Sequence, residues 1–262
     1  MKTLNFKLQL CILNFAFLII LLLPHFAEAG LIIKAPPYIG LQEGLVGFWS
    51  FDGPDMFSTK ATDRSGQGNN GTLTNGPKRA IGRIGQALEF DGVDGGARVQ
   101  ISNNSALAIS GTVSVSAWIK ITTLQNLRVI LHKESAGQDC YQYGLEPITI
   151  DSQWHFRFVF TVNSCGAERS INATGHTIQT NQWYHVVGVR QGTAISIYVD
   201  GTLSSSATFT GTVDSETSAI LTMGDKSTNQ NNSAFNGLID EVRVYNRALS
   251  ADEIKRLYNM GR

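Results

Sequence analysis

The sequence predicts an all-β fold: an antiparallel sandwich of two sheets that ends in one short helix. From residue 45 onward, short runs of alternating apolar and polar residues are separated by Gly, Asn, Asp and Ser. Alternation with a period of two is typical of strands that bury one face. Asp200–Gly201 lies between two such runs and predicts a tight hairpin, because a type I′ turn needs positive φ at both central residues. Many short strands with regular turns favour a sandwich.

The first 29 residues have the pattern of a signal peptide. Lys2 and Lys7 form a basic segment, Phe15–Leu23 is unbroken apolar, and Ala27–Ala29 has the small residues of a cleavage site. The apolar run is shorter than the roughly 20 residues that a membrane span needs. An uncleaved anchor is the alternative. We therefore expect a secreted protein, extracellular or periplasmic, with no membrane span in its mature chain.

Residues 30–44 form a short leader with two consecutive prolines, and residues 45–262 form one domain. The chain has 21 basic and 21 acidic residues. Loss of the signal peptide removes two lysines and one glutamate, which leaves a net charge of about −1. This balance gives no basic surface for nucleic acid. We expect a monomer.

The cysteine content agrees with export. Cys11 lies in the signal peptide, so the mature chain keeps Cys140 and Cys165. One pair in an oxidising compartment predicts a disulfide, worth roughly 3 kcal/mol in the chain-entropy model. Two unpaired buried thiols are the alternative. Zinc is not expected, because two cysteines without close spacing supply too few ligands.

Two runs, residues 112–122 and 154–162, identify core strands. Each has one apolar face, and these faces consist of Val113, Val115, Ala117, Ile119, Ile121, Trp154, Phe156, Phe158, Phe160 and Val162. Trp118 lies on the other face of the first run. Tyr198 is likewise opposite the apolar row of residues 194–199, so both rings point away from the predicted core.

The end of the chain changes from a strand period to a helix period. Residues 237–245 alternate and place Asp240 on the face of two valines. A carboxylate on such a face needs a metal, a basic side chain or backbone amides as a partner. Ser250 and Glu253 then have the spacing of a capping box, which predicts the start of a helix.

Five sequence blocks occur in a fixed order. They are GLVGFWSFDG (44–53), GQALEFDGVDG (85–95), TVSVSAWIK (112–120), WYHVVGVRQGTAISIYVDG (183–201) and FNGLIDEVRVYNRALSADEI (235–254). In this order and spacing they resemble the LamG-like jelly-roll domains (laminin G type 3) of the concanavalin A-like lectin/glucanase superfamily. The resemblance extends over residues 45–258. It implies a jelly roll of two stacked antiparallel sheets, one of them concave, with adjacent chain ends.

The resemblance also implies a structural Ca²⁺ where the first and last strands meet. The expected ligands in this chain are Asp240 and Asp52, with Asp91 or Asp94 as additions from a Gly-rich segment. Calcium takes six to eight oxygen ligands, among them backbone carbonyls. The alternative is that Asp240 accepts hydrogen bonds from turn amides while Asp52 caps a loop. A second, pentraxin-like arrangement is disfavoured, because its loop here offers Asp225 without an acidic cluster.

The sequence does not show the paired carboxylates of a glycosidase. Glucanases of the superfamily place carboxylates alternately along one strand, and hydrolysis needs two of them about 5–10 Å apart. Asp240 and Glu241 are adjacent and should face opposite sides of a strand. Glu134, Glu146 and Glu168 stand apart and are expected as surface charges. We predict that the chain is not an enzyme, with an unusual glycoside hydrolase as the exception.

Binding is therefore the expected function. Aromatic faces flanked by polar groups are the usual elements of a sugar site, and the candidates are Trp118, Tyr198, Tyr141, Tyr143 and Arg157. The alternative is that a loop covers the first two rings, which then complete the packing. We predict a lectin-like module that binds a carbohydrate or surface polymer. A protein–protein adhesion module is the competing prediction.

Overall fold

In the computed structural model of the chain, the described residues are 40–135, 140–214, 219–226 and 232–262. The predicted signal peptide and the leader up to residue 39 lie outside these ranges. No helix in the described ranges is long and apolar enough to cross a membrane.

The first sheet has eight strands. Seven follow the spatial order β15-β14-β13-β8-β17-β6-β5, and β1 pairs with β17 on the far side of a bulge. The strands are β1 (Leu45–Trp49), β5 (Lys78–Ile81), β6 (Gln86–Asp91), β8 (Val113–Ile121), β13 (Trp183–Gln191), β14 (Ala194–Val199), β15 (Thr202–Thr208) and β17 (Asn236–Tyr245). All pairs are antiparallel.

The second sheet has nine strands in the order β12-β11-β10-β9-β16-β7-β4-β3-β2. They are β2 (Met56–Phe57), β3 (Lys60–Ala61), β4 (Gly71–Thr74), β7 (Arg98–Ile101), β9 (Leu131–Glu134), β10 (Tyr141–Ile150), β11 (Gln153–Val162), β12 (Ala167–Asn172) and β16 (Ile220–Met223). Short 3-10 helices occupy Gly53–Asp55 and Ser105–Leu107, and the helix α1 spans Ala251–Met260. The predicted antiparallel sandwich with a C-terminal helix is confirmed.

The inner faces of the two sheets meet in one hydrophobic core. The alternating faces predicted for residues 112–122 and 154–162 both point into it, and all their members except the half-buried Trp154 are fully buried. Burial of apolar surface at about 25 cal/mol per Å² is the main force that holds such a sandwich together. The core therefore follows from the period-two pattern of the sequence.

The local turn and cap predictions are also confirmed. Asp200 and Gly201 have φ values of 52° and 74° and connect β14 to β15. Ser250 is the N-cap of α1, and its side chain accepts from the Glu253 amide while Glu253 bonds back to the Ser250 amide. These two devices fix the hairpin register and the start of the helix.

The strand β17 departs from the predicted alternation. A bulge interrupts its pairing with β8 between Asp240 and Arg243, and Glu241 has a φ of 53°. The bulge adds one residue, so Val242 lies in the core together with Ile239, whereas Asp240 pairs with Trp118 on the outer face. The prediction that Asp240 shares a face with the valines is therefore wrong, because strict alternation fails at a bulge.

Cys140 and Cys165 form the predicted disulfide, with Cα atoms 5.1 Å apart. It joins the start of β10 to the turn between β11 and β12. Asp214 supports this turn, because its carboxylate accepts hydrogen bonds from the Ser164 and Cys165 amides at 2.6 and 2.8 Å.

Candidate functional site

The outer face of the first sheet is covered by α1. Trp118 is only 1% exposed, and its ring stacks on Tyr258 of the helix with 5.6 Å between centroids. A Cβ at Gly261 would lie 2.8 Å from the indole, so the chain after the helix also touches this ring. The expectation of an exposed Trp118 is wrong, because the capped helix places Tyr258 over the ring.

Two of the predicted tyrosines also belong to packing. Tyr143 is fully buried in the core, where its hydroxyl donates to the Leu107 carbonyl at 2.9 Å and burial raises its pKa. Tyr198 is half-buried against an apolar cluster that includes Leu257 of α1. The opposite-face prediction for Tyr198 is correct, but that face is the one beneath the helix.

The outer face of the second sheet is polar and charged. We call it the polar face and define it by His132, Glu134, Glu146, Arg157, Glu168, Asn172 and Thr222. Cross-strand register brings these side chains together, since Glu146 pairs with Arg157 and His132 pairs with Thr222. Neighbours that are directly opposite on one face of a sheet have Cβ atoms about 5 Å apart. Residues that are far apart in sequence therefore form one continuous row, and Glu134 and Glu146 in it are buried rather than the surface charges that the sequence predicted.

Charges alternate along the polar face. His132 lies 3.6 Å from a Glu134 oxygen through Nδ1 and 3.2 Å from a Glu146 oxygen through Nε2. Arg157 donates from Nε to Glu146 Oε1 at 2.6 Å, and its Nη2 contacts the same oxygen. Its Nη1 reaches Glu168 at 2.7 Å. The two cations are thus each flanked by two carboxylates.

The pKa values of the paired groups on the polar face are strongly shifted. Burial alone would lower the pKa of His132, but the carboxylates of Glu134 and Glu146 outweigh it and raise the pKa to about 9. Burial would raise the pKa of Glu146, but His132 and Arg157 lower it. The two residues therefore carry opposite charges at neutral pH. The imidazole nitrogens have no aligned hydrogen bond to any described residue, so the contact is an ion pair.

Local sequence features shape the centre of the polar face. Gly144 lies directly opposite His132, and a Cβ there would stand 2.6 Å from the imidazole. Glycine therefore lets the ring lie over the strand and reach Glu146. A bulge between Tyr141 and Tyr143 turns Tyr141 onto the same face, where its ring contacts His132 edge-on at 4.9 Å. Of the predicted ligand-binding residues, Tyr141 and Arg157 lie on this face.

The carboxylates predicted as calcium ligands divide into two places. Asp240 Oδ2 accepts from two amides of the turn at residues 82–86, at 2.8 and 2.9 Å, and Asp52 Oδ1 accepts from a third at 2.8 Å. The last strand and the segment after β1 thus meet at this turn. Asp91 is the last residue of β6 and Asp94 follows it, so both lie roughly 17–20 Å from this turn by the strand rise. They do not join the same site.

Asp94 serves a different loop contact. Its carboxylate accepts from the amides of Asn232, Ser233 and Ala234 and pairs with Arg128 at 3.3 Å. Burial opposes ionisation, but these amides lower the pKa of Asp94. Asp91 caps its own turn through the Val93 amide at 3.1 Å. Both carboxylates therefore form hydrogen bonds that fix the conformation of loops.

The turn site fits calcium only in part. Asp240 Oδ1 is buried without a hydrogen-bond partner in the described ranges, and burial, with a further contribution from Glu241, raises the pKa of Asp240 to about 7. A free carboxylate oxygen suits a hard cation. In those same ranges, however, the one close group of three acid, His or Cys ligands is Cys140, Cys165 and Asp214, whose cysteines are bonded together. An ion at Asp240 would need backbone carbonyls.

Sequence reasoning missed most of the polar face. Glu134, Glu146 and Glu168 looked isolated, and His132 looked scattered, because the pairing of β9, β10, β11 and β12 is not visible in the sequence. One signal was present: Arg157 alternates with the phenylalanines of β11, so its direction away from the core could be inferred. In β10, alternation likewise points Glu146 away from the core, because its neighbour Leu145 points into it.

The fold and the polar face together define a lectin-like sandwich. The family model Laminin_G_3, described as concanavalin A-like lectin/glucanases superfamily, matches residues 93–255. Because the match covers more than half of the chain, the protein belongs to this family, as the five sequence blocks predicted. No curated protein sequence matches the chain.

Several solved structures share the fold. Domain 4 of AbnA, a GH43 extracellular arabinanase from Geobacillus stearothermophilus in complex with arabinotriose, matches with a TM-score of 0.63 and 23% identity, over 82% of this chain and 98% of that one. The binding domain of Paraclostridial Mosquitocidal Protein 1 matches with 0.63 and 17%, over 84% and 53%. Trypanosoma rangeli sialidase matches with 0.60 and 19%, over 82% and 33%. The chain thus spans about half of that toxin domain and a third of the sialidase, and these identities show the fold alone.

Proposed function

We propose that the protein is an exported, non-catalytic module that binds a carbohydrate or surface polymer through its polar face. The observation that carries this proposal is the row of carboxylate, guanidinium, imidazole and amide groups on the outer face of the second sheet, which is buried at its centre and reaches solvent at Glu168 and Asn172. Groups of this kind can read the hydroxyls of a sugar by donating to or accepting from them. The arabinotriose complex of the Geobacillus domain supports the proposal by similarity. The disulfide is compatible with export.

The test is a glycan array with the mature chain and two variants. Asn172→Ala removes a half-buried amide from the polar face, and Asn259→Ala removes an exposed amide from α1 on the other side of the sandwich. We expect the first variant to lose array signal and the second to keep it. Equal signal from both variants, or no signal from the unmodified chain, would count against the polar face as the binding surface.

Catalysis is the weaker proposal because the carboxylates on the polar face are held by cations. Arg157 contacts both Glu146 and Glu168, and the lowered pKa of Glu146 opposes a role as a general acid. Similarity to a sialidase leaves an enzyme to be tested directly. We expect no reducing sugar to be released from a polysaccharide panel. Release that disappears in a Glu146→Gln variant would reverse this assignment.

We also propose a structural Ca²⁺ at the 82–86 turn, with Asp240 Oδ1 as its free carboxylate ligand and Asp52 beside it. The unpartnered oxygen supports this proposal. The measurement is a melting curve in calcium and in chelator, together with metal analysis of the purified protein. Identical midpoints and no bound metal would show that the turn amides alone satisfy these carboxylates.

A further inference from the structure

Helix α1 leaves part of the outer face of the first sheet open. Tyr258 of the helix covers Trp118, whereas the next row of outward side chains, two residues further along β8, is half-buried or exposed throughout. We call this row the open strip, and the sheet register places its members side by side on β13, β8, β17, β6 and β5: Trp183, Lys120, Leu238, Glu89 and Lys78. With about 4.8 Å between strands, the strip is roughly 19 Å long.

Strand alternation directs the open strip away from the core. Ile119, Ile239 and Leu88 are sequence neighbours of strip residues, and all three lie in the core. The indole and the charged groups of the strip have no hydrogen bond, ion pair or ring contact to another described residue. These groups are therefore both accessible to solvent and available to a ligand.

One end of the open strip leads into a small cleft. Lys78, Glu89 and Asp91 supply its polar groups, and its volume is about 80 Å³. Asn75 Nδ2 donates to the Gly95 carbonyl at 2.7 Å, which ties together the loops on either side of the cleft. A single water needs roughly 10–15 Å³ of such space. The cleft therefore has room for a polar substituent such as the hydroxymethyl group of a sugar.

The open strip and its cleft carry the groups that a saccharide requires. The half-exposed ring of Trp183 offers an apolar face at one end of the strip. An ammonium group can only donate hydrogen bonds and an ionised carboxylate can only accept them, so a hydroxyl finds both kinds of partner here. Lys120 and Lys78 are matched in number by Glu89 and Asp91. The strip therefore has no net charge with which to select an acidic or a basic ligand.

The size of the open strip argues against a protein partner. Its length of roughly 19 Å and a width of about 10 Å give an area on the order of 200 Å². A stable protein–protein interface buries roughly 800 Å² on each partner. A narrow chain of linked rings fits such a strip, whereas a folded protein would contact far more than it offers.

We propose that the open strip is a separate binding site for an uncharged oligosaccharide. One sugar ring packs on the indole of Trp183, the following rings cross Leu238, and a hydroxyl or hydroxymethyl group enters the cleft beside Glu89. The strip lies on the first sheet and the polar face on the second, so this site does not depend on the polar face.

The experiment is calorimetric titration of the mature chain with two sets of ligands. One set is uncharged and consists of the linear tetrasaccharides of arabinose, xylose, cellulose and maltose type. The other is acidic: sialyllactose, a galacturonic acid oligomer and a heparin tetrasaccharide. We expect binding to a member of the first set, with an affinity that changes less than about two-fold between roughly 50 and 500 mM NaCl, because no net charge is paired.

Two variants test the site itself. Trp183→Ala removes the apolar face, and affinity for the uncharged saccharide should fall at least about ten-fold. Glu89→Gln changes an exposed side chain without a described partner, so the melting temperature should stay the same while affinity falls roughly five-fold, the effect of one hydrogen bond. The matched control is Phe57→Ala, which removes a ring that is 78% exposed at the edge of the second sheet and should bind normally.

The outcomes separate this site from the polar face. A saccharide whose binding survives Asn172→Ala and is lost in Trp183→Ala and weakened in Glu89→Gln binds at the open strip. Binding that both strip variants retain, or salt-sensitive binding restricted to acidic glycans, would overturn this proposal and leave the polar face as the site. Absence of binding to both sets would contradict the proposed function as well.

Discussion

The two outer faces of this sandwich have opposite characters, although each begins from the same alternation of residues. On the first sheet, serines, Trp118 and Tyr198 would be exposed, but α1 covers them and converts the face into a second apolar layer. On the second sheet, the equivalent positions carry paired charges and unused acceptors. The covered face stabilises the fold, whereas the polar face is buried at its centre and reaches solvent at its β12 margin, where the Glu168 side chain is 42% exposed. Burial alone therefore does not distinguish function, whereas the chemistry of what is buried does.

The largest expected effect comes from the covered face. Trp118→Ala should lower the free energy of unfolding by roughly 3–5 kcal/mol, because it leaves a cavity under the helix next to Tyr258. Urea denaturation measures the change. The control is Leu203→Ala on the exposed part of β15, which should cost less than about 0.5 kcal/mol. Saccharide binding should be unchanged in both, and a loss of binding in a folded Trp118→Ala variant would show that the covered face takes part in recognition.

A smaller loss is expected at the centre of the polar face. Glu146→Gln leaves Arg157 and His132 with one buried carboxylate fewer, so we expect a destabilisation of roughly 3 kcal/mol in urea. The matched variant is Glu168→Gln, where the pair with Arg157 is open to water and worth less than about 1 kcal/mol. Equal losses of stability would mean that the buried ion pairs of Glu146 contribute no more than the exposed ion pair of Glu168.

The polar face should also make stability depend on pH. The pKa of His132 is raised from 6.5 to about 9, so its contribution is complete below about pH 6.5 and is lost as the pH rises through 9. The expected size is on the order of 1–3 kcal/mol. Two further groups titrate in the same pH range: the pKa of Asp240 is about 7 and that of Lys133 is about 8. The difference between the wild type and a His132→Gln variant isolates the histidine.

Urea denaturation at several pH values checks this. The gap between wild type and His132→Gln should narrow as the pH increases from about 6.5 to about 9. A gap that stays constant or widens would mean that His132 is neutral in the folded protein.

The architecture could be predicted from the sequence because its determinants are local. The phenylalanine row of β11, the Asp200–Gly201 turn and the capping box at Ser250 each act through neighbours within a few residues. The family blocks then implied two stacked antiparallel sheets, without the order of the strands in each. The cysteine pair was correct for a similar reason, since only two remained after the signal peptide.

The polar face could not be predicted because it depends on register. His132 meets Glu146 only through the pairing of β9 with β10 and the space above Gly144. The bulge at Glu241 likewise reversed the direction of Asp240. Asp240 and Glu241 were predicted to face opposite sides because of strict alternation, and alternation does not hold across the bulge. One inserted residue is enough to exchange the faces of a strand. Periodicity reports which side chains alternate, but a bulge and a partner strand decide where they point.

The smallest expected effect concerns this redirected aspartate. Its pKa is raised from 3.8 to about 7, mainly by burial, so the folded state prefers the protonated form and stability is lost as the pH rises through 7. Asp240→Asn keeps an oxygen for the two turn amides without the charge. Without calcium, the variant should match the wild type near about pH 4 and exceed it by roughly 1 kcal/mol near about pH 8. Calcium at the higher pH should then stabilise only the wild type. If the variant is the less stable protein in chelator at that pH, the turn amides dominate over burial, and Asp240 needs no ion to remain charged.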